Sequence, residues 1–406
     1  MPVILSCWPG YFTPCLCWWL RLSGGRRPKV PRKVSLTVII LLLLPLCGCW
    51  DSRDLDKLNF PLAASYDLHS PGSADPSDPP TPPGRKLMDV TTMTPNLAPK
   101  SSAPVDIQTL SGINATDVRQ KRALIDPDTY VTGLLKTIII GEEMASLGIN
   151  PYMDALLRGT TISGTMYFAV AAGRGEDILK TPIKNDTNIG TYLLALFDGI
   201  HQRTFIPVIR LGEFYRSQDT GKNPVAPILE RKGDRVIISG VAVFKKDQMV
   251  KKLNLEEGQM LVLLRGIAGE SYQPFMRNEA GKKHWGSVLV SNSRKVKYYQ
   301  DQQGHNFLIT IKLTGNLDEH SHQGPVTEKH LKEIEKTVEQ QVKNQCEKFI
   351  KKMQEEIKVD CIDISKYALT KNRRALEKEI DNPEFIQYAN IKVMVKVHLD
   401  KTGEAR

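Results

Sequence analysis

Few residues of this 406-residue chain have the types and spacing that catalysis requires. Ser271, in the run from Gly269 to Gln273, resembles the serine of a nucleophile elbow, but glutamine stands where that motif needs its second glycine. Gly173 and Gly175 are two residues apart but lack the third glycine of a dinucleotide-binding loop. Neither pattern supports a catalytic or nucleotide-binding site.

Histidines form one metal-like cluster. His320 and His322 are two residues apart, with Asp318, Glu319 and His330 nearby, and imidazoles at such spacing can bind zinc. The segment is polar and has no apolar shell around it, which favours a solvated loop between domains. The sequence therefore predicts no metal site.

Two pairs of neighbouring carboxylates are also present. Glu142 and Glu143 lie at the start of one predicted helix, and Glu256 and Glu257 at the start of another. Negative charge at a helix N-terminus is stabilised by the helix dipole, which accounts for both pairs without catalysis. We therefore predict that the protein is not an enzyme and needs no cofactor.

One cysteine has a specific chemical context. Basic residues from Arg26 to Lys33 precede an apolar run, Val34 to Leu46, that is short for a membrane-spanning helix. The tetrapeptide Leu46-Cys47-Gly48-Cys49 resembles the lipobox of bacterial lipoproteins. That resemblance implies a diacylglycerol on Cys49 and cleavage just before it, so that residues 1–48 form a signal peptide. The alternative is an uncleaved signal anchor in which Cys49 is an ordinary residue.

Composition indicates that the remainder folds in water. Hydrophobic residues make up 41% and charged residues 25% of the chain, near the averages for globular proteins, and the length suits two or three domains. The formal net charge is +10, but six basic residues and no acid precede Cys49, which leaves +4. This excess gives no reason to expect nucleic acid as a partner. Residues 1–25 do not resemble the n-region of a signal peptide, and we interpret them as an extension from a start codon assigned too far upstream.

Two cysteines, Cys346 and Cys361, follow Cys49. They provide neither a disulfide framework nor a CxxC pair. They form one bridge if the fold brings them together. Otherwise Cys346, which lies on an apolar helix stripe, is a buried thiol.

The first predicted domain spans residues 49–231 and mixes strands with helices. Its proline-rich stretch, residues 70–83, excludes a helix or a central strand and is predicted to be a loop. A short strand is predicted around 86–92, and a loose stretch from 94 to 106. The sharper signals that follow are strands at 136–140 and 163–171 and helices at 141–147, from Asn150 to near Gly159, and at 190–200.

A middle domain, residues 232–300, is predicted to begin with strands at 235–244 and 249–253. Asn254 and Glu257 have the spacing of a capping box, for a helix that ends near Gly266. A C-terminal domain, residues 301–406, has alternating strands around 307–313 and 391–399.

A long helix, residues 327–357, lies between those two strands. Its apolar positions recur at three- and four-residue steps and predict packing on the sheet, with a partner-binding face as the alternative. The stripe consists of Leu331, Ile334, Val338, Val342, Cys346, Phe349, Met353 and Ile357. The fold class is therefore α+β, with a β-sheet and packed helices in each domain.

Four segments, in order, resemble the Ger(x)C family of spore germination lipoproteins. They are Cys49-Trp-Asp-Ser-Arg-Asp-Leu55, the run Lys136 to Met144 with its Ile-Gly-Glu-Glu turn, Ile238 to Lys245, and Gly315-Asn-Leu317. The proline-rich stretch departs from the family, which has a strand pair with a short turn there. An irregular first sheet is therefore expected.

The resemblance implies a non-enzymatic C subunit of a germinant receptor, on the outer face of the inner spore membrane with integral-membrane A and B subunits. It also implies an elongated fold of two to three mixed domains. Cys49 alone carries over as a functional residue, and direct germinant binding does not follow from the resemblance. The alternative is a solute-binding lipoprotein of a transporter, which predicts a two-lobed ligand cleft.

Overall fold

The computed structural model describes residues 57–69, 86–96, 105–153, 163–183, 188–203, 206–279, 282–302, 304–321, 326–380 and 382–402. Asp56–Arg406 forms one compact unit. Its strands form two large sheets and a short parallel pair, β1 (Leu58–Asn59) with β5 (Thr129–Tyr130). The mixture of sheets and packed helices confirms the predicted α+β class.

The first sheet is parallel at its centre and antiparallel at its margins. In spatial order it contains β11 (Gln248–Leu253), β10 (Arg235–Lys245), β9 (Val225–Lys232), β7 (Tyr167–Ala171), β6 (Thr137–Ile140), β2 (Ala63–Leu68), β3 (Met88–Pro95) and β4 (Val105–Gly112), with β8 (Ile209–Arg210) beside β7. Strands β9, β7, β6 and β2 run parallel. Ile139 belongs to one core cluster and Ile138 and Ile140 to another, so both faces of the sheet are covered.

The helices of this half include two that were predicted, at 142–147 and 189–203, and three that were not. They are α1 (Ala115–Ile125), α2 (Glu142–Leu147), α3 (Gly175–Leu179), α4 (Ile189–Arg203) and α5 (Leu211–Asp219). Residues 150–153 begin the helix predicted at Asn150, and its continuation lies outside the described residues. The predicted strand at 163–171 is shorter than expected, since it begins at Tyr167.

The sheet is regular where irregularity was expected. Strands β2 and β3 flank the proline-rich stretch and pair without a register shift from Ala63↔Met93 to Leu68↔Met88. The predicted loop itself, residues 70–83, lies outside the described residues. The pairing stays regular because the inward side chains of both strands are buried in the core.

The second sheet contains β12 (Glu270–Glu279), β13 (Lys282–Asp301), β14 (Gly304–His320) and β15 (Asn390–Thr402), in that order. Strands β14 and β15 are parallel, and parallel neighbours need a long crossover. The crossover consists of α7 (Glu328–Lys352), a π-helical turn (Met353–Ile357), α8 (Ser365–Ile380) and α9 (Pro383–Tyr388). The apolar stripe of α7 packs against β12 and β15, which confirms that prediction.

Helix α6 (Leu255–Arg265) connects the two sheets. Residues 260–264 are all buried, and the helix contacts β10 of the first sheet and β13 and β14 of the second. A helix that is apolar all round must be covered on all sides. The residues assigned to a middle domain, 232–300, are therefore divided between the two sheets. The boundary at 232 falls in the hairpin between β9 and β10, where Arg235 pairs with Lys232.

The predicted capping box at the start of α6 is present. The Asn254 side chain accepts a hydrogen bond from the Glu257 amide (2.9 Å), and the Glu257 carboxylate accepts one from the Asn254 amide (3.1 Å). Gly266 ends the helix with φ of 71°, the left-handed conformation that favours glycine.

Replacing Asn254 with alanine is expected to lower the free energy of unfolding by about 1 kcal/mol, because the α6 N-terminus loses its side-chain acceptor. Urea denaturation of the two proteins measures the difference. Asn254→Asp keeps the acceptor and should retain most of the stability. Equal losses in both variants would contradict a capping role.

Cys346 and Cys361 are both free thiols and both buried, so they do not form a bridge with each other. The Cys346 sulfur lies 3.8 Å from the sulfur of Met260, and burial raises the pKa of this thiol to about 12. Cys346 therefore behaves as an apolar side chain between α6 and α7.

Candidate functional site

The carboxyl ends of β2, β6 and β7 meet at one edge of the first sheet, since these strands are parallel neighbours. This edge is where open α/β sheets commonly place functional groups. Asp67 is the penultimate residue of β2, Gly141 follows β6, and the segment 173–176 follows β7. Together with Asp89 on β3 they form what we call the edge network: Asp67, His69, Asp89, Ser111, Arg174 and Glu176.

Asp67 ties the start of α3 to β2. Its carboxylate accepts hydrogen bonds from the backbone amides of Gly175 (2.7 Å) and Glu176 (2.9 Å) and from the Ser65 hydroxyl (3.3 Å). The side chain is 1% exposed. Burial raises the pKa of Asp67, and the two amides together with nearby Arg174 oppose that rise.

Asp89 lies beside Asp67 and has a different set of partners. The Arg174 guanidinium donates to it at 2.7 Å, the Ser111 hydroxyl at 2.7 Å, and the His69 Nδ1 lies 2.6 Å away. Burial acts to raise the pKa of Asp89, but the bonds from Arg174, His69 and Ser111 outweigh it, so the pKa is lowered. Arg174 also bonds the Glu176 carboxylate (3.0 Å) and the carbonyl of residue 68 (3.1 Å).

The edge network has the properties of a structural clamp. Each of its carboxylates accepts hydrogen bonds from side chains or amides of the same chain, so its charge is compensated internally. A carboxylate with a lowered pKa, such as Asp89, is also a weak general base. The network therefore holds four chain segments together, which is a stability role rather than a catalytic one.

The Ile-Gly-Glu-Glu turn belongs to the same edge. The Glu142 backbone amide donates to the Gly173 carbonyl (2.8 Å), and the Glu142 carboxylate accepts from the Gly173 amide (3.1 Å). Glu142 also pairs with Lys252 (2.5 Å), and Glu143 pairs with Lys86 (2.6 Å). The two glutamates thus join neighbouring elements, in addition to their predicted place at the start of α2.

Glycines of the family-like segments lie where a Cβ atom would overlap the backbone. A Cβ on Gly240 would meet the carbonyl oxygen of Leu253, and one on Gly315 would meet that of Leu289. Both glycines are at register shifts, in β10 and in the β14–β15 pair. Sheet geometry therefore explains these glycines without a ligand.

The predicted chemical candidates do not converge. Ser271 is buried in β12, where its hydroxyl accepts a bond from Gln273 (3.2 Å). His320 ends β14 with its ring centroid 6.5 Å from that of Phe275, so this histidine belongs to the second sheet rather than to an interdomain loop. His322 lies outside the described residues. Within the described ranges, three or more metal-binding side chains do not gather at any point.

Cys49, the residue predicted to carry the lipid, also lies outside the described residues, so its role stays a prediction. The edge network was not predicted, because its acids and arginine are dispersed between residues 67 and 176. The available signal was position: Asp67 and Arg174 both follow apolar runs of the type that forms parallel strands.

Comparison with known proteins matches both halves of the chain to spore germination families. Residues 51–231 match the family model described as the spore germination protein N-terminal domain, and residues 239–403 match the one described as spore germination B3/GerAC like, C-terminal. The chain belongs to the Ger(x)C family of spore germination proteins.

Individual relatives are distant but cover most of the chain. Spore germination protein GerQC of Bacillus cereus is 20% identical over 90% of this chain and 98% of its own length. Spore germination protein B3 of Bacillus subtilis (strain 168) is 21% identical over 82% of this chain and 87% of its own length. The crystal structure of the GerBC protein has a TM-score of 0.55 at 18% identity, covering 77% of this chain and 94% of that one, which establishes a shared fold.

The helices offer no membrane span of their own. Across the described ranges, each helix is too short or too polar to cross a bilayer.

Proposed function

We propose that this chain is the lipid-anchored C subunit of a spore germinant receptor, required for nutrient-triggered germination together with integral-membrane A and B subunits. The observation that carries the proposal is the match of both halves, in order, to spore germination families. The lipobox-like tetrapeptide before Trp50 supplies the means of attachment. The subunit acts through protein–protein contacts and not through catalysis.

The proposed mechanism is confinement at the outer face of the inner spore membrane. Acyl chains on Cys49 hold the protein there, because buried methylenes supply membrane affinity and several chains together make it durable. Tethering also raises the effective concentration of the folded part beside the A and B subunits. No other cofactor is required.

A Cys49→Ala substitution is expected to release the protein from the membrane and to reduce nutrient-triggered germination to the level of a strain without the protein. The experiment uses a spore former that lacks its own copy and compares the full chain with the variant. Membrane fractionation measures attachment, and loss of spore refractility across a nutrient panel measures germination.

Cys47→Ala is the matched control, since it removes a neighbouring thiol and leaves the proposed acylation site intact. Membrane retention that does not depend on Cys49 would refute the anchor. If germination is the same with and without the protein under every nutrient, the receptor role is refuted and a solute-binding lipoprotein is favoured. Saturable binding of a small molecule is then the next measurement.

A further inference from the structure

One face of the second sheet is open. The opposite face packs against α6 and α7, and the buried positions of β13, β14 and β15 point toward those helices. The alternate positions along these strands are exposed or half-buried, apart from the buried Asn306, as a period of two requires. In the described part of the chain, no helix packs on this second face.

The open face carries a group of lysines from three neighbouring strands. We call it the basic face: Lys295, Lys297, Lys312, Lys392 and Lys396. All five are exposed. Lys312 is directly opposite Lys396 in the parallel pair, and Leu308 separates Lys297 from Lys392 in the same row.

The acids of this face, Glu270, Asp318 and Asp400, lie toward its margins and not among the five lysines. The outward positions within 291–299, 308–314 and 392–396 contain no Asp or Glu. Among the described residues, no carboxylate forms an ion pair with any of the five lysines. Like charges directly opposite each other destabilise a sheet, so Lys312 beside Lys396 weakens the isolated fold. A negatively charged surface outside the chain would remove that repulsion.

We propose that the basic face docks on a bilayer surface that carries anionic phospholipids. Protein interfaces are depleted in lysine, whereas clusters of four or more lysines and arginines bind anionic leaflets through their surface potential. The lysines are spread along strands rather than gathered round a pocket, which suits a continuous charged plane. Exposed Met394 and Tyr299 lie among them and add apolar and amphipathic contact.

The contact is separate from the acyl anchor proposed at Cys49, so it is tested on a chain that lacks the anchor. Because Asp56–Arg406 is a compact unit, residues 50–406 keep every described contact. Flotation with vesicles of phosphatidylglycerol and phosphatidylcholine measures binding, with pure phosphatidylcholine vesicles alongside. The Lys295→Gln, Lys312→Gln and Lys396→Gln triple variant is expected to bind anionic vesicles about 100-fold more weakly.

The matched control changes three exposed lysines on α7, on the other side of the sheet: Lys329→Gln, Lys336→Gln and Lys348→Gln. It loses the same charge and should bind within about threefold of the parent, because charges beyond a Debye length are screened. The proposal is overturned if the parent protein does not bind anionic vesicles, or if the basic-face variant and the α7 variant lose binding equally. An acidic protein partner would then be the alternative. None of these outcomes bears on the Cys49 anchor.

Discussion

An Asp67→Ala substitution is expected to lower the free energy of unfolding by about 4 kcal/mol, because it removes one partner from a buried, hydrogen-bonded charge network. The amides of Gly175 and Glu176 would lose their acceptor, and the Ser65 hydroxyl would lose a partner. Arg174 would also lose the attraction of a nearby carboxylate. Typical domains have only about 5–15 kcal/mol of stability, so this loss removes a large part of the total. Equilibrium denaturation in urea measures it.

Asp219→Asn is the matched control for this change, since Asp219 is exposed at the end of α5. Surface substitutions of this kind alter stability by about 0.5 kcal/mol or less. Asp67→Asn tests the charge itself, because it keeps the shape of the side chain and removes the charge. Its amide NH2 group would also replace one of the two oxygens that accept from the backbone amides of Gly175 and Glu176. If the urea midpoint of Asp67→Ala equals that of the wild-type protein, the edge network contributes nothing to stability.

Gly315→Ala is expected to destabilise the protein by about 3 kcal/mol or more, because the new Cβ atom would overlap backbone atoms of the neighbouring strand β13. A Cβ at this position would overlap the carbonyl oxygen of Leu289 and lie 2.8 Å from the Cα of Val290. Relief requires β13 and β14 to separate locally, which breaks ladder hydrogen bonds at the centre of the second sheet. Thermal and urea unfolding both report the loss.

Gly199 provides a control in which the same substitution should have the opposite sign. It lies exposed in α4, and a Cβ there meets no atom within 4 Å. Alanine is favoured over glycine in a helix by about 1 kcal/mol, so Gly199→Ala is expected to stabilise the protein. Equal effects at the two positions would disprove the steric explanation for the family-like Gly315-Asn-Leu segment.

These variants also separate folding from anchoring in the cell. Asp67→Ala and Gly315→Ala are expected to lower the amount of folded protein, because a few kcal/mol changes the fraction exposed to proteases. Cys49→Ala is expected to leave the unfolding midpoint unchanged and to alter only membrane attachment. A germination defect can then be assigned to one cause by measuring both properties.

Local patterns in the sequence predicted elements wherever short-range forces decide the structure. The apolar stripe of α7, the capping box at Asn254 and the glycine that ends α6 all depend on neighbours within about four residues. Alternation likewise identified β14 and β15. The family-like segments could also be recognised in the sequence, because each is a short run of specific residues.

Strands β12 and β13 were not predicted, because polar residues occupy inward positions there. Arg294 interrupts the apolar alternation, yet its guanidinium is satisfied by carbonyls, among them that of Ile362 at 2.7 Å. Those carbonyls come from α6 and from the loop before α8. Strand β4 has half-buried positions along most of its length, and a weak pattern of this kind does not distinguish a strand from a loop.

The sequence by itself determined the family, the α+β class and the long helix, because each depends on residues close together along the chain. The lipid anchor at Cys49 stays a prediction. Only the tertiary structure decided that α6 joins two sheets and that Asp67, Asp89 and Arg174 meet at one edge. It also placed five lysines, separated by up to about a hundred residues, on one face. The net charge of the chain does not reveal such a face, because electrostatic potential depends on where charges lie in space.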